Sequence, residues 1–471
     1  MRVLKAPWLP LLIVLAFIVA ACAPPAAPTP TPTKAPPAAA PTTAAPKTEA
    51  TKPAEKPAAT PTTATSKPAG APIKIGLVQS LTGSLANVGK DNQDGFDLYM
   101  EKVGWTVAGR KIEKVVEDDE GKPDVGLTKV RKLVENDKVN IVAGLHSTAV
   151  CNAIAPYVRD SKVVTVITGN CGAETLTKDP NLRSPYLWRT TQSSAMFGYA
   201  LSGWLVKNNY NKVVVIVSDY AGGLEVEDGL ARAFIDEGGT IVQELYPAMG
   251  TTDFGPFLAQ LKADANAVVS FIVGVDGLRF AQQYTEFGWK AKMPLFDLSQ
   301  VIVSGPNVAE LKDVAVGIIA SIHYATDTDS PENKELLTAF KAKYPGRLFA
   351  HDVAAGWAGA QVLEAAIRGA DGNVEDKDKF VAALKKVEIK TPKGSFKFDD
   401  YQNVVEDFYI KRIDKVGNDY VEKTLAVVPG ISQFFKWKPE EATKFPWSKL
   451  KGKWANINKT QMQEMLKPFF Q

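Results

Sequence analysis

VNIVAGLHSTAVCNAIAPYVR, residues 139–159, contains a strand, a turn and a helix start in one stretch. Val139 to Ala143 is an apolar run of strand length that breaks at Gly144. After His146-Ser147-Thr148 the apolar residues recur at helical spacing. A short buried strand running through a tight polar turn into a helix is the building unit of a parallel sheet covered on both faces.

The same unit repeats on either side. Ile73 to Gln79 reads as a strand, followed by the turn SLTGSLANVG and a helix to about Val103. Lys111 to Glu117 and Val163 to Ile167 are strand-like, and Asp124 to Glu135 is helical. The rhythm pauses at the extended piece Pro185 to Thr191, then resumes. Helices are expected at 196–207, 225–236, 253–263 and 278–287, and strands at 212–218, 239–246, 267–273, 294–298 and 314–322. Two α/β runs joined by an extended crossing predict two similar lobes. The last third predicts helices at 331–344, 353–369 and 376–385, the second rich in small residues that permit close packing. Shorter β segments follow near 394–398, 407–413 and 420–427. In the tail, FFKWKPEEATKFPWSKLKGKW (434–454), aromatics alternate with lysines while Pro439 and Pro446 interrupt any helix. It reads as a packed arm rather than an interfacial helix.

The amino-terminal residues predict the compartment. Arg2 and Lys5 precede an apolar run, Leu9 to Ala20, of about a dozen residues, the length of a signal-peptide core rather than a spanning helix. It ends in Val19-Ala20-Ala21-Cys22, which resembles a bacterial lipobox, so Cys22 is expected to carry lipid and residues 1–22 to be a leader. Residues 23–72 are nearly all Ala, Pro, Thr and Lys. Such a composition buries too little surface to offset ordering entropy and is expected to form an extended tether. The whole chain carries a net charge of +3 with both signs interspersed, and no basic stripe argues for nucleic acid.

Several chemistries find no support. GSLANVGK (83–90) has five residues rather than four between its glycines, and Asp91 stands where a P-loop needs Ser or Thr. There is no GxSxG, HExxH, paired CxxC or GxGxxG after a strand. The three histidines, His146, His323 and His351, are far apart in sequence. Asp118, Asp119 and Glu120 read as a solvated turn. No metal, cofactor or catalytic group is expected, and a binding protein is favoured over an enzyme.

Ligands of open α/β sheets bind beyond the carboxyl ends of the strands. There the helix after Gly144 starts with unsatisfied N–H groups and a positive dipole end. Ser147 and Thr148 add hydroxyls, and while they read as ordinary N-cap residues, a cap facing a cleft is also an anion site. The next strand end, VVTVITGNCGAETLT, brings Thr168, Gly169, Asn170, Cys171 and Gly172 beside it. A carboxylate fits two such turns. Cys151 and Cys171 fall in these neighbouring turns, where either a disulfide or two buried thiols would fit.

At this point the chain resembles the solute-binding proteins of the branched-chain amino acid class of ABC importers. The resemblance runs over residues 73 to 428 in KIGLVQSLTGSLANVGKDNQDGFDLYMEKVG, GLHSTAVCNAIAP, NCGAETLT, SPYLWRTT, VVVIVSDYAGGLEVEDGLARAF and GTTDFGPFLAQLKADANAVVSFIVGVDGLRFAQQYTEFGW. It implies an α/β fold of two Rossmann-like lobes with parallel central sheets, joined by three crossing strands and closing over ligand. Lobe 1 would be 73–190 and 324–392, lobe 2 191–323 and 393–428, and 429–471 a C-terminal arm. It further implies that Ser147 holds the ligand carboxylate, that Asn170-Cys171-Gly172 completes the contacts, and that Tyr220 forms an aromatic wall. Near Gln300 the family's leucine binders carry an acid for the α-ammonium; here Asp276 or Asp297 would have to substitute. Without such a partner, a carboxylate lacking the amine, aromatic or aliphatic, fits better than an amino acid. The implied role is a monomeric, acyl-anchored receptor outside the cytoplasmic membrane that serves an ABC permease and its ATPase. Two other classes stay open: a ligand-sensing ectodomain of the same fold, and an exported amidase or hydrolase, which would need a nucleophile–base pair the scattered histidines do not supply.

Overall fold

The computed structural model describes residues 70–471; the expected leader 1–22 with Cys22, and the tether up to residue 69, lie outside the described residues. The chain opens with β1 (Ile73–Gln79), α1 (Ala86–Lys102), β2 (Thr106–Val107), β3 (Arg110–Asp118), α2 (Pro123–Glu135), β4 (Ile141–Gly144), α3 (Thr148–Ser161), β5 (Val164–Ile167), α4 (Thr175–Lys178) and β6 (Leu187–Arg189). These strands form one sheet in the order β2-β3-β1-β4-β5-β6. All its pairs are parallel except the short β2–β3 ribbon.

After Gln192 the chain crosses into a second unit of the same kind: α5 (Ser194–Lys207), β7 (Lys212–Val217), α6 (Ala221–Asp236), β8 (Thr240–Leu245), α7 (Gly255–Leu258), β9 (Ala267–Phe271), α8 (Val275–Glu286), β10 (Leu295–Asp297), α9 (Gly305–Leu311) and β11 (Ile319–Ile322). It then returns through α10 (Pro331–Lys343), α11 (His351–Gly369) and α12 (Lys377–Lys385), which pack on the first sheet through Leu336, Trp357 and Phe380. The strands β12 (Glu388–Thr391), β13 (Gly394–Phe398), β14 (Val404–Val416) and β15 (Asp419–Ile431) complete the second sheet, ordered β12-β13-β14-β11-β10-β9-β7-β8 with β15 on β14.

The central parallel strands of each sheet are buried on both faces, and strand alternation sorts the core. In β7, Val213, Val215 and Val217 face α5 and α6, while Val214 and Ile216 face the α8 side. In the first unit Ile73, Ile75 and Leu77 face α1 and α11, and Val78 faces α2 and α3. Helices α1 and α11 meet closely. A β-carbon on Gly356 would lie 1.9 Å from the Asn92 carbonyl oxygen, and one on Gly95 1.9 Å from that of Val353, so only glycine fits either place.

Four details differ from the sequence reading. The helix expected over 253–263 is the single turn α7: past a few local turn bonds, Lys262 N–H donates to Gln243 Oε1 of β8, and the Lys262 side chain anchors there through Nζ to the Val242 carbonyl. The strand expected over 314–322 covers only Ile319–Ile322, since Gly317 (φ +83°) turns the chain just before it. The β segments near 407–413 and 420–427 are the two arms of one long hairpin, β14 and β15, turning at Gly417. That hairpin runs to Ile431, past the expected boundary at 428.

Candidate functional site

The parallel strands of both units end toward one cavity of about 310 Å³, within the range of small-ligand sites. The first sheet contributes Ser84 and Leu85 after β1, Ser147 after β4, and Asn170 after β5. The second contributes Tyr220 after β7, Val273 after β9 and Gln300 after β10. Gln192 joins from the crossing between them. A larger cavity of about 770 Å³ lies under the C-terminal arm against Arg232 and Trp437, but no strand end reaches it. The topology therefore favours the smaller one.

Gly144 makes the first turn possible. Its φ is +95°, and a β-carbon there would sit 2.1 Å from the Val78 carbonyl oxygen. Leu145 N–H then donates to that same oxygen at 2.7 Å, which swings His146 and Ser147 off the sheet end. Ser147 is the N-cap of α3, yet its side chain caps none of the helix's own N–H groups. Its hydroxyl and the positive end of the helix thus face a cavity that Ser147 and Ala149 both line.

His146 holds the two turns together. Asn170 N–H donates to His146 Nδ1 at 3.4 Å, which places the ring proton on Nε2, bonded to Gln79 Oε1. Gln79 Nε2 donates onward to Asn92 Oδ1 at 3.1 Å, and Asn92 Nδ2 to the Thr168 carbonyl at 2.8 Å. Burial pushes the imidazole pKa down to about 3, so the ring is neutral.

Four residues singled out from sequence meet at the cavity: Ser147, Asn170, Tyr220 and Gln300. Burial, and then the Glu225 carboxyl, push the Tyr220 phenol up, so it stays neutral. Five others do not line it. Thr148 is the buried first residue of α3. Cys171 is bonded to Cys151, with Cα atoms 6.6 Å apart. Gly172 lies against Ser194 at the start of α5, where a β-carbon would fall 2.5 Å from Ser194 Oγ. Asp276 accepts from Gly250 N–H at 2.7 Å and from Arg279 Nη1 at 3.0 Å. Asp297 accepts from Ser299 N–H and Oγ and from Ile302 N–H, at 2.9, 2.5 and 3.0 Å. Both carboxylates are already engaged, Asp276 by Gly250 on the loop after β8 and by Arg279, Asp297 by its own loop, and neither lines the cavity. Asp297, pushed up to about 6 by burial, instead braces the turn that carries Gln300 at φ +64°.

The walls are largely apolar: Leu85 and Val88 from one unit, Phe197, Met249, Phe271 and Val273 from the other. The one carboxylate among the lining residues is the exposed Glu120, bonded to Lys122 at 2.7 Å. Sequence reasoning missed Phe197, Met249, Phe271 and Gln192. Phe197 lies within α5 and Phe271 ends β9, away from the turns that the pattern of strand ends marks, whereas Gln192 and Met249 follow β6 and β8 in turns to which no ligand role was assigned. Outward, the cleft continues into a space of about 590 Å³ lined by Asp91, Arg347, His351 and Asp352. Burial raises Asp352 to about 7 and, with the Asp352 charge, Asp91 to about 6. Among the described residues no three His, Cys, Asp or Glu side chains group to hold a metal ion, and no helix is long and apolar enough to cross a membrane.

This arrangement has relatives. A family model described as periplasmic binding protein matches residues 72–418. The chain is 28% identical over 353 residues to a Leu/Ile/Val-binding protein homolog of Brucella melitensis, covering 73% of this chain and 88% of the relative. It superposes on an ABC transporter substrate-binding protein from Sphaerobacter thermophilus with a TM-score of 0.73 and 32% identity, covering 77% of this chain and 99% of the other. A solute-binding protein of an ABC transporter from Rhodopseudomonas palustris BisB5, in complex with 3,4-dihydroxybenzoic acid, gives a TM-score of 0.71 and 29% identity over 77% and 98% of the two chains. The family model over residues 72–418, two α/β sheets and a cavity at the strand ends place this chain in the periplasmic binding protein family, among the substrate-binding proteins of ABC transporters.

Proposed function

We propose that the protein captures a small aromatic carboxylate between its lobes and presents it to an ABC permease. The observation that carries this reading is the composition of the cavity: apolar and aromatic walls meet the unengaged hydroxyl of Ser147 at a helix N-terminus, and the only lining carboxylate is exposed and ion-paired. A carboxylate gains at the N-terminus of α3. An α-ammonium buried beside it would need an anion that Asp276 and Asp297 do not provide, and an unpaired buried charge costs several kcal/mol. The branched-chain amino acid reading is weaker for that reason. The R. palustris relative bound to a dihydroxybenzoic acid supports the same class. Closure of one lobe on the other would complete the site, since each supplies about half of it. Export, lipid attachment at Cys22 and action as a monomer belong to the same proposal.

Thermal-shift screening of the purified protein against benzoates, phenylacetate, aliphatic acids and leucine tests the reading. A ligand at a hundredfold excess over its Kd stabilises by about 2.7 kcal/mol. Benzoates are expected to raise the melting temperature; a shift with leucine and none with any benzoate would reverse the assignment.

A further inference from the structure

Two buried amide oxygens in the cavity have no partner among the described residues: Gln192 Oε1 and Gln300 Oε1. Both side chains line the cavity, and they are 0% and 2% exposed. Buried polar groups are nearly always satisfied, and an orphan in a binding site points to what the ligand supplies. We infer that Gln192 and Gln300 are specificity-determining acceptors that select an aromatic carboxylate whose ring carries a hydrogen-bond donor, a hydroxyl or an amino group. The inference rests on the functional reading above and deepens it.

The polarity of Gln192 is set by its neighbours. Asp352 Oδ1 accepts a hydrogen bond from Asn170 Nδ2 at 2.5 Å. That turns Asn170 Oδ1 toward Gln192, whose Nε2 donates to it at 3.4 Å. The oxygen of Gln192 is then the end left over. A carboxylate outside the cavity thus orients two amides in sequence, so that an acceptor and not a donor is offered to the ligand. Gln300 reaches the cavity from the other lobe, on a turn held by the three hydrogen bonds of Asp297. A non-glycine residue at φ +64° persists only where its surroundings over-determine it, and here they place a second acceptor in the same space.

A site built to accept a ligand hydroxyl rejects the analogue without it, because its own buried group is then left unpaired. The test is calorimetric and uses benzoate, the best-bound hydroxybenzoate isomer and the methoxybenzoate of the same isomer, which keeps the oxygen and lacks the donor. Wild type is expected to bind the hydroxy acid about tenfold tighter than either of the others. In Gln192→Met and in Gln300→Met the ratio of hydroxybenzoate to benzoate affinity is expected to fall toward one, with circular dichroism reporting that each variant is folded. Equal affinity of the wild type for the hydroxy and methoxy acids, or a preference undiminished in both variants that bind benzoate, would overturn the inference and leave the aromatic-carboxylate reading standing. Failure of all three acids to bind would remove that reading, and the inference with it.

Discussion

At the scale of single residues, Ser147 and His146 carry the site. Ser147 sits on a helix N-terminus with a hydroxyl that caps nothing, and a hydrogen bond to a charged acceptor contributes about 1.5–3 kcal/mol. Ser147→Ala is therefore expected to weaken a bound carboxylate by about tenfold or more, read by calorimetry; an unchanged Kd would remove Ser147 from the site. His146 makes a prediction about acid. Its folded pKa of about 3 lies below the unfolded value of 6.5, so between those values the unfolded chain binds a proton that the native one does not. Stability from this group is then lost as pH falls through 6.5 and is constant above it. From pH 7 to 5 the loss is about 2 kcal/mol, and His146→Asn should lack it. Asp297 and Asp352, raised to about 6 and about 7, act in the opposite direction, so the wild-type-minus-variant difference in urea unfolding isolates the imidazole. An equal pH response in both proteins would mean that the native ring is charged. Strand ends pointed at Ser147 and Asn170 and the family resemblance at Tyr220 and Gln300, and the structure brings all four to one cavity. Asp276 and Asp297 do not line it, because sequence shows a carboxylate near a strand end but not that Gly250 and Arg279 already occupy the one and its own loop's donors the other.

At the scale of elements, strands with apolar alternation and helices with a clear apolar stripe were legible, and α7 was not. Its residues have helical spacing, but Lys262 N–H donates to Gln243 Oε1 on β8 instead of continuing the helical ladder. Tertiary partners outcompeted local pattern. The contact between α1 and α11 yields a prediction with an unusual sign. Gly to Ala inside a helix ordinarily stabilises by about 0.5–1 kcal/mol. At Gly356 the added methyl would meet the Asn92 carbonyl, so Gly356→Ala is expected to destabilise by about 2 kcal/mol, seen as a lower melting temperature. A rise would mean that the helices do not approach so closely. The bond between Cys151 and Cys171 ties α3 to the turn after β5 and closes a 20-residue loop. Chain entropy assigns such a loop about 3 kcal/mol, so Cys151→Ser with Cys171→Ser should lose stability of that order in urea; no loss would show that the two thiols are not bridged in solution.

At the scale of the whole molecule, the two-lobed plan was visible in the repeat of strand and helix and in the pause at 185–191, whereas the reach of the C-terminal arm was not. The arm's aromatics are part of the core of the second lobe: Trp454 is fully buried and donates to Asp228 at 3.0 Å, and Trp437 stacks on Arg232 at 3.8 Å. It also touches the first unit, where Lys178 of α4 donates to the Gln433 carbonyl at 2.7 Å and lies 4.3 Å from the Trp447 ring. Composition showed aromatics among lysines; only the fold shows which ends turn inward. The cavity between the lobes draws on both halves, so its ligand reports on the molecule as a whole. The most direct measurement is a calorimetric competition on the purified wild-type protein between a benzoate and leucine. The aromatic acid is expected to bind at least about tenfold tighter, consistent with a carboxylate on α3 and no anion for an ammonium. Tighter binding of leucine, undisturbed by excess benzoate, would contradict it.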